Sequence, residues 1–590
     1  MLGLSAGITG PTDTLQSVTV TADKGIIVSR ADTIKIRPSQ RTSDILLGSS
    51  ALILSDYGGP SGTKNISLRG LGIAHTSIYI DGIRVNNVQN GQSDLGLMDA
   101  QLYSRIVIDY AQNSVNFVSS VPELGNKKFQ TQISTELGSW ETYTGAAQFS
   151  MRLSPGITAR ISARGTKSAG NYEYGAGLTR TNADQQQISA QADLYGSFYQ
   201  GRWQIKAHNG NSDRGTPGAI SWPSQDRQSD TYAFLQGSLN KKVTEHYNLA
   251  VSAKASQDKM LFLSEWGDSD YKHNNLQLNG SHQFYINDWW NASVATDLSS
   301  DKLHSSGYDA QRMSMLVALA SAFRFEHLYA DISLEYNGTF DKDALSRNTL
   351  SPAINLRYEI TERLSAMGFV RRASRIPTFN ELYYVGYGNP NLKPEDAILS
   401  DLGLEWHHKS GRFRYKTKFN LFYNLLTDKI TSAPTEANPN IWLPYNIGRV
   451  EATGADLLGE IAYQQREWTS GLSLKYTGQN ALDKTKGSDS YNQQINYVCK
   501  HNLSLSADVS YKKWAALMVW NYRDGRQDSS GSLPAWNTLN ITLSRSFRLG
   551  KDSEIQAHIS GKNLLDCRYE IVRDYPMPGR NIIGGINIKF

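Results

Sequence analysis

The chain is poor in the features that commonly announce a function. Two cysteines, Cys499 and Cys567, stand 68 positions apart in 590 residues, with no ligand spacing around either. That excludes a disulfide framework and a zinc-ribbon reading, and leaves two free thiols. Charge is sparse, at 19% Asp, Glu, Lys and Arg, against the ~25% usual in soluble domains. The net excess is only +5, and no basic stripe offers a nucleic-acid surface. No apolar run reaches the ~18 residues of a spanning helix; the longest nearly apolar stretch, Met313–Phe323, stops at eleven. A polytopic helical membrane protein is therefore excluded. There is no Gly-x-x-x-x-Gly-Lys-Ser/Thr loop, so the chain cannot draw work from a nucleotide itself. His407, His408 and His273 have no companions at ligand spacing and read as surface histidines. The first residues, MLGLSAGITGPTDT, lack a basic n-region and a long apolar h-region. As written they hold no complete signal peptide, and an exported chain would have lost its leader or begin upstream.

What is abundant is aromatic and uncharged polar. The chain carries 31 Tyr, 17 Phe and 12 Trp, which together with the low charge rules out disorder. Period-2 alternation recurs through the last third. Phe590, Ile588, Ile586, Gly584 and Ile582 share one face, and Lys589, Asn587, Gly585, Ile583 and Asn581 the other. Ile555, Ala557 and Ile559 alternate with Gln556, His558 and Ser560, and Leu503, Leu505, Ala507 and Val509 with polar neighbours. Tight spacers such as Tyr511–Trp514 alternate with long polar ones such as Arg523–Pro534. A soluble β-sandwich array also alternates. Short turns on one side, long loops on the other, and Tyr and Trp near segment ends favour a transmembrane β-barrel. A spanning strand needs only ~9–11 residues, so roughly half of the barrel portion is expected to be loop. The first ~125 residues differ: short strands, clustered glycines and a helix-like Thr42–Leu47, capped by Thr42 or Ser43, describe a compact α+β domain.

Five stretches, in order along the chain, carry a family likeness. They are Gln16–Ala22 (QSVTVTA), the pair Ile66–Gly70 (ISLRG) and Ile78–Asn86 (IYIDGIRVN), Ser374–Glu395 (SRIPTFNELYYVGYGNPNLKPE), Asn446–Gly454 (NIGRVEATG), and Lys562–Phe590 with NLLDCRYE, YPMPGR and a terminal Phe. Together they resemble the TonB-dependent outer-membrane receptors, and within them most nearly the cobalamin receptors. The likeness breaks after Arg105, where IVIDYAQNSVNFVSSVPELG replaces the usual Arg-Gly-Pro and Gly-rich run of the plug. The resemblance implies a bacterial outer-membrane, all-β barrel of about 22 antiparallel strands with the α+β domain as a plug inside its lumen. Residues 1–22 would form a tail with the TonB box, 23–126 the plug and 127–590 the barrel.

It also implies roles. Gln16, Ser17, Val18, Thr19, Val20 and Thr21 would bind TonB, which the inner-membrane energising proteins drive. Such a segment can add as an edge strand to its partner through backbone hydrogen bonds. Arg69 and Arg84 would face carboxylates of the barrel wall. Tyr57–Asn65 and Asn86–Ser93 would face outward, with Tyr57, Thr63, Asn65, Asn87, Gln89, Asn90 and Gly91 touching the substrate. These loops present amides with Lys64 as their one cation, which suits a neutral corrinoid better than an anionic ferric siderophore, although turns favour the same residue types. Siderophore and haem stay open as alternatives. No cofactor is expected. Calcium gathered by Asp226, Asp230, Asp268 and Asp270 in outer loops, and a surface lipoprotein lid, stay open as well. The barrel's partner along its outside is outer-membrane lipid, and no nucleic acid is expected. An outer-membrane protease or lipase barrel would need an inward catalytic set, and none emerges, so the reading is transport and not catalysis.

The box generates a direct test. Val18→Pro removes a backbone donor and disturbs the extended strand. Uptake into cells should be abolished while ligand binding at the surface stays nearly intact; normal uptake by the variant would sink the partner-strand assignment.

Overall fold

The computed structural model describes residues 31–590 apart from 38–39, 176, 343, 436–437, 439–440 and 551–552, so the Gln16–Thr21 box lies outside the described residues. Within them, 22 strands close into one antiparallel barrel. Closure joins the first barrel strand, Phe129–Gly138, to the last, Asn581–Lys589, with Ile583 opposite Gly138 and Lys589 opposite Gln132. Every strand thus has a partner on both sides, the condition for placing a sheet in lipid.

Alternation sets the two faces. Ile582 and Ile586 are about half exposed on the outside, whereas Asn581 and Ile583 are buried inside. The same outward apolar row, which would be anomalous in water, recurs around the barrel at Ile133, Ile188, Leu276, Leu319, Leu402 and Ile559. Connections on the side of the C-terminus are short, as between Gly201 and Phe198 or Leu328 and Phe325. Rings crowd that same rim: Trp289 stacks on Phe323, while Phe413 meets Tyr463 and Trp468 meets Tyr511 at a tilt. Such a belt of amphipathic rings marks a membrane–water interface. The opposite side carries the long connections, which by the same asymmetry face the exterior.

The expectation that half of the barrel portion is loop does not hold. Trp222–Thr244 runs for 23 residues and Trp442–Gln465 for 24. Neighbouring strands keep pairing beyond the bilayer because each further rung satisfies backbone groups that a loop would leave to water. Much of the surplus length is therefore raised wall.

The N-terminal domain sits in the lumen. A sheet of order β1-β6-β7-β4-β5 combines β1 (Ala31–Lys35), β4 (Ser77–Ile80), β5 (Ile83–Arg84), β6 (Arg105–Asp109) and β7 (Ser114–Val118). Only the β4–β7 pairing is parallel. A separate hairpin joins β2 (Leu52–Asp56) to β3 (Lys64–Leu68), preceded by α1 (Thr42–Leu47). Neither Thr42 nor Ser43 caps α1. Arg41 holds the cap position, with Asp44 Oδ2 accepting its N–H at 3.1 Å, while the Thr42 hydroxyl donates to Met98 O at 2.6 Å. The Asp81-Gly82 turn between β4 and β5 has φ of 47° and 82°, the left-handed pair that a two-residue hairpin demands. Ile45, Leu52, Ile66, Ile78, Ile106, Val115 and Phe117 form the domain's core, and Phe369, Leu399 and Trp536 of the barrel wall join it. The altered stretch after Arg105 is the β6–β7 hairpin, which still completes the sheet.

If the outward row is a lipid face, Ile586→Arg should cost on the order of 2–4 kcal/mol in barrel stability near mid-bilayer. Asn587→Arg, turned to the lumen, should be tolerated far better. Urea unfolding of the refolded barrel in vesicles compares them, and equal damage would refute the register.

Candidate functional site

The apex of the lumenal domain is built from two turns and a loop of the barrel. In the turn over Asn86–Ser93, side chains hold the backbone: Asn87 Oδ1 accepts from Gln89 N at 2.7 Å and Asn90 Oδ1 from Gln92 N at 3.0 Å. Gly91 lies at φ +74°, and a Cβ there would stand 3.0 Å from Thr378 Cγ2, so glycine is needed both for the turn and for the contact. That contact comes from the outer connection between Arg375 and Glu395. Its helix α2 (Phe379–Tyr383) is opened by a capping box in which Thr378 and Glu381 satisfy one another's backbone N–H. Phe379 N donates to Val88 O at 3.0 Å and Asn380 N to Gln89 O at 2.9 Å, seating the loop on the turn. The mid-barrel signature seen in the sequence is thus a latch on the apex. Behind it Arg375 pairs with Glu381 at 2.8 Å and with Glu395, which in turn meets His75 of the lumenal domain.

Between the apex and the wall lies a cavity of about 390 Å³, within the ~300–1,000 Å³ of small-ligand sites. It brings together Thr63, Asn65, Asn87, Gln89 and Asn90 of the expected set. Gly91 lines an adjoining cavity of about 280 Å³ that runs down beside the wall. Tyr57 stands apart, edge-on to Tyr575 with ring centres 5.0 Å apart. The wall contributes residues that sequence reasoning passed over, among them Ser212, Arg214, Gln228 and Tyr271, and Asn380 comes from the latch. Asn87 Nδ2 donates to Tyr271 Oη at 2.9 Å. Their only signal in the sequence was the polar phase of long alternating strands, which every lumen-facing position shares.

Charge in this cavity is arranged in a definite way. Arg214, 2% exposed, pairs with Asp94 at 2.8 Å and Asp230 at 3.3 Å. Asp99 and Asp258 add further acidic lining. Lys64 does not face the cavity as a free cation. Its ammonium donates to Gly59 O at 2.9 Å and Gly62 O at 2.7 Å and lies 3.6 Å from Asp56, so it ties the Tyr57–Asn65 turn together. Lys64→Ala would leave these two carbonyls and Asp56 without their cation and should loosen the turn.

The lumenal domain is seated by ion pairs. Arg69, 3% exposed, reaches Asp401 at 2.8 Å and Asp456 at 3.1 Å through Nε, between the rings of Tyr110 and Phe422 at 4.3 and 4.4 Å. Lys418 meets Asp32 at 2.9 Å, Lys206 meets Asp81, and Lys562 meets Asp44. Burial pushes these three carboxyls up, but the facing ammonium groups outweigh it and hold all three below the usual carboxylate range. Arg84 makes no ion pair with the wall among the described residues: its Nε reaches Asn86 Oδ1 at 3.4 Å, and its carbonyl accepts from Lys254. β5 is only two residues long, and its end turns the guanidinium into the adjoining cavity.

Two other expectations change. His273 is not a surface histidine but 3% exposed, between Asp258 at 3.0 Å and Asp301 at 2.9 Å. It occupies a lumen-facing phase of its strand, where a lone sequence position could not reveal its two partners. Asp226, Asp230 and Asp270 lie on wall strands, not in loops, and Asp230 is taken by Arg214. Among the described residues no group of three or more His, Cys, Asp or Glu is placed to hold a metal.

A closed barrel with an outward apolar belt, filled by a small domain whose apex lines a cavity open to the long-loop side, defines a plugged outer-membrane transporter. Residues 123–564 match the family described as TonB dependent receptor-like, beta-barrel, and residues 12–122 match the TonB-dependent Receptor Plug Domain. The chain belongs to the TonB-dependent receptors of the bacterial outer membrane, which are transporters and receptors and not enzymes. Among curated relatives, the Vitamin B12 transporter BtuB of Vibrio vulnificus (strain YJ016) is 22% identical over 93% of this chain and 89% of its own. Among solved structures, the FrpB iron transporter of Neisseria meningitidis aligns with TM-score 0.78 at 13% identity, covering 95% of this chain and 99% of that one. The siderophore receptor PirA of Acinetobacter baumannii aligns with TM-score 0.77 at 13% identity, covering 95% and 98%. At those identities the two structures share the fold alone.

The seat makes a prediction. Arg69→Ala leaves Asp401 and Asp456 buried without their cation, which should destabilise the plug by about 3–5 kcal/mol. Hydrogen exchange of β3 would show it as lost protection. Arg69→Met combined with Asp401→Asn and Asp456→Asn should recover most of the loss; no recovery would mean that charge is not what seats this residue.

Proposed function

We propose that this TonB-dependent outer-membrane transporter takes a large neutral nutrient with peripheral amides, a cobalamin or related corrinoid. The observation that carries the reading is the apex cavity. Its rim is Thr63, Asn65, Asn87, Gln89, Asn90, Gln92 and Asn380, and its one buried guanidinium is neutralised by Asp94 and Asp230. Amides and carbonyls donate and accept toward a neutral ligand, whereas the buried charges beneath them are already paired, Arg214 with Asp94 and Asp230, Asp99 with Arg164 and Asp258 with His273, so none of these is held ready for an anionic complex. The relationship to a protein named as a vitamin B12 transporter points the same way. The iron and siderophore transporters share the barrel and plug and add nothing about this rim.

Uptake on this reading begins with capture at Asn90 and its neighbours under the α2 latch. Energy comes from TonB, which grips Gln16–Thr21 as an added strand and pulls on β1 behind it. The seat can yield stepwise because it is made of discrete ion pairs, and since Arg69 and Lys206 are buried the pull must supply the cost of separating each one. Ligand then passes beside the plug toward the short-turn side.

The test is salt dependence. Hydrogen bonds of about 0.5–1.5 kcal/mol each hold a neutral ligand, so cyanocobalamin binding to the purified protein should change little with ionic strength. Asn90→Ala should weaken it by about 2- to 10-fold. Failure of cyanocobalamin to bind, with a ferric siderophore binding steeply weakened as screening shortens to about 10 Å at 0.1 M salt, would replace the corrinoid by the siderophore and leave the transporter class intact.

A further inference from the structure

The cavity beside the plug is longer than the apex site requires. It shares Val85, Asn87, Tyr232 and Asp258 with the apex cavity, so the two meet at the top. Its lowest residues on the strands Tyr247–Leu263, Ser269–Tyr285 and Trp290–Ser305 are Ala250, Ser281 and Ala295, which stand opposite one another in one row. That row lies a few residues above the short turns that follow Thr244 and Tyr285. From Asp258 to Ala250 is about 26 Å of strand at ~3.3 Å per residue. The wall lining is small and polar, with Ser252, Asn279, Ser299, Ser314 and Asn337. From the plug, Ser77, Tyr79, Gly82 and Arg84 line it. They belong to the β4–β5 end of the plug sheet, the far end from β1 and the tail.

The ring of the barrel holds the plug unevenly. Arg164, Lys206 and Arg214 grip it through Asp99, Asp81 and Asp94. Further round, Glu395, Asp401, Lys418, Asp456, Asp508 and Lys562 grip it again. Between these two groups, from Trp222–Thr244 to Leu364–Arg375, no ion pair joins wall to plug among the described residues. The charges of that arc pair within the wall instead: Asp230 with Arg214, His273 with Asp258 and Asp301, Arg312 with Asp341, and Arg371 with Glu335. A hydrogen bond from Lys254 Nζ to Arg84 O at 3.2 Å, the apex bond from Asn87 to Tyr271, and the apolar contact of Phe369 do reach across. The cavity lies along this arc. Separating a buried ion pair strands two charges, whereas parting a gap already lined by small polar groups strands none.

We infer that the ligand travels down this one side of the plug, between its β4–β5 edge and the wall strands from Tyr247–Leu263 to Leu328–Asp341, while the ion pairs on the remaining wall keep the plug in the barrel. The space now open, about 280 Å³, is less than a corrinoid occupies, so the β4–β5 edge withdraws from the wall during passage. Lys206 with Asp81 ties the β4–β5 turn at the border of this side, and it is the first pair that the withdrawal separates. The route presupposes that the apex cavity is the ligand site of the transporter, and it gives the transport reading a definite path.

Cleavable bridges test the route, in full-length protein carrying Cys499→Ser and Cys567→Ser. Arg84→Cys with Lys254→Cys, closed by a short bis-methanethiosulfonate, ties the β4–β5 edge to the wall. Ser50→Cys with Thr477→Cys ties the plug on the far side by a direct disulfide, since Thr477 Oγ1 and Ser50 Oγ lie 3.0 Å apart. Cyanocobalamin uptake and surface binding are measured in TonB-energised cells with each bridge closed and again after reduction, so each protein is its own control for folding. The first bridge should stop uptake, leave surface binding intact and release uptake on reduction; the second should leave uptake as it is in the reduced protein. Loss with both bridges means that the plug leaves or unfolds as a whole, and overturns the route. Loss with neither, or with the second alone, overturns it as well. If cyanocobalamin does not bind, the corrinoid reading fails and the same bridges are read with ferric enterobactin. Loss of that uptake with the first bridge alone then keeps the route without the corrinoid, and any other pattern overturns both.

Discussion

Everything in this molecule depends on pairing the backbone of its two end strands. Lipid offers no partner for an exposed N–H or C=O, so a sheet can cross the membrane only if it has no edge. Asn581–Lys589 lies against Phe129–Gly138 over the rungs from Ile583 to Lys589, and the edge disappears. A ring of 22 strands is wide enough to leave a lumen that side chains alone cannot fill. The plug answers that width, and the pumping problem follows from the plug: it must seal the lumen and still be movable.

The two demands shape how plug and wall meet. An apolar interface would seal but would not yield, because apolar contact stabilises in proportion to area and has no discrete point of release. Here the contact combines a modest shared core, through Phe369, Leu399 and Trp536, with separate charged anchors at Arg69, Asp32, Asp44 and Asp81. Arg69 is the most enclosed of these, with a carboxylate at each side and an aromatic ring over each face. Its backbone lies in the left-handed region at φ 49°, where a non-glycine residue is tolerated only because several contacts hold it. The site sits where this seat meets the exterior. Three segments far apart in the chain converge on one cavity: the turn over Asn86–Ser93, the α2 latch, and the wall around Arg214 and Tyr271. The latch touches the apex turn through backbone bonds and the plug's His75 through Glu395 and Arg375, so occupancy of the cavity and the seating of the plug share residues.

The strands and the facing of their side chains were legible in the sequence, since alternation is a local property and lipid on one side makes it strict. Ile582 and Ile586 outward and Asn581 and Ile583 inward follow from period two alone. The helix Thr42–Leu47 was legible for the same reason, being decided by a few adjacent residues. What the tertiary structure decided was pairing at a distance. Only the fold shows that Lys64 is turned onto Gly59 and Gly62, that His273 lies between Asp258 and Asp301, that Arg84 meets the wall through its carbonyl and not through an ion pair, and that Asp230 belongs to Arg214 and not to a metal ion. The physical reason is that lumen-facing polar positions all look alike along the chain. Which of them become anchors, which line the cavity and which stay in water depends on barrel register and plug rotation, and those are fixed by contacts between residues hundreds of positions apart.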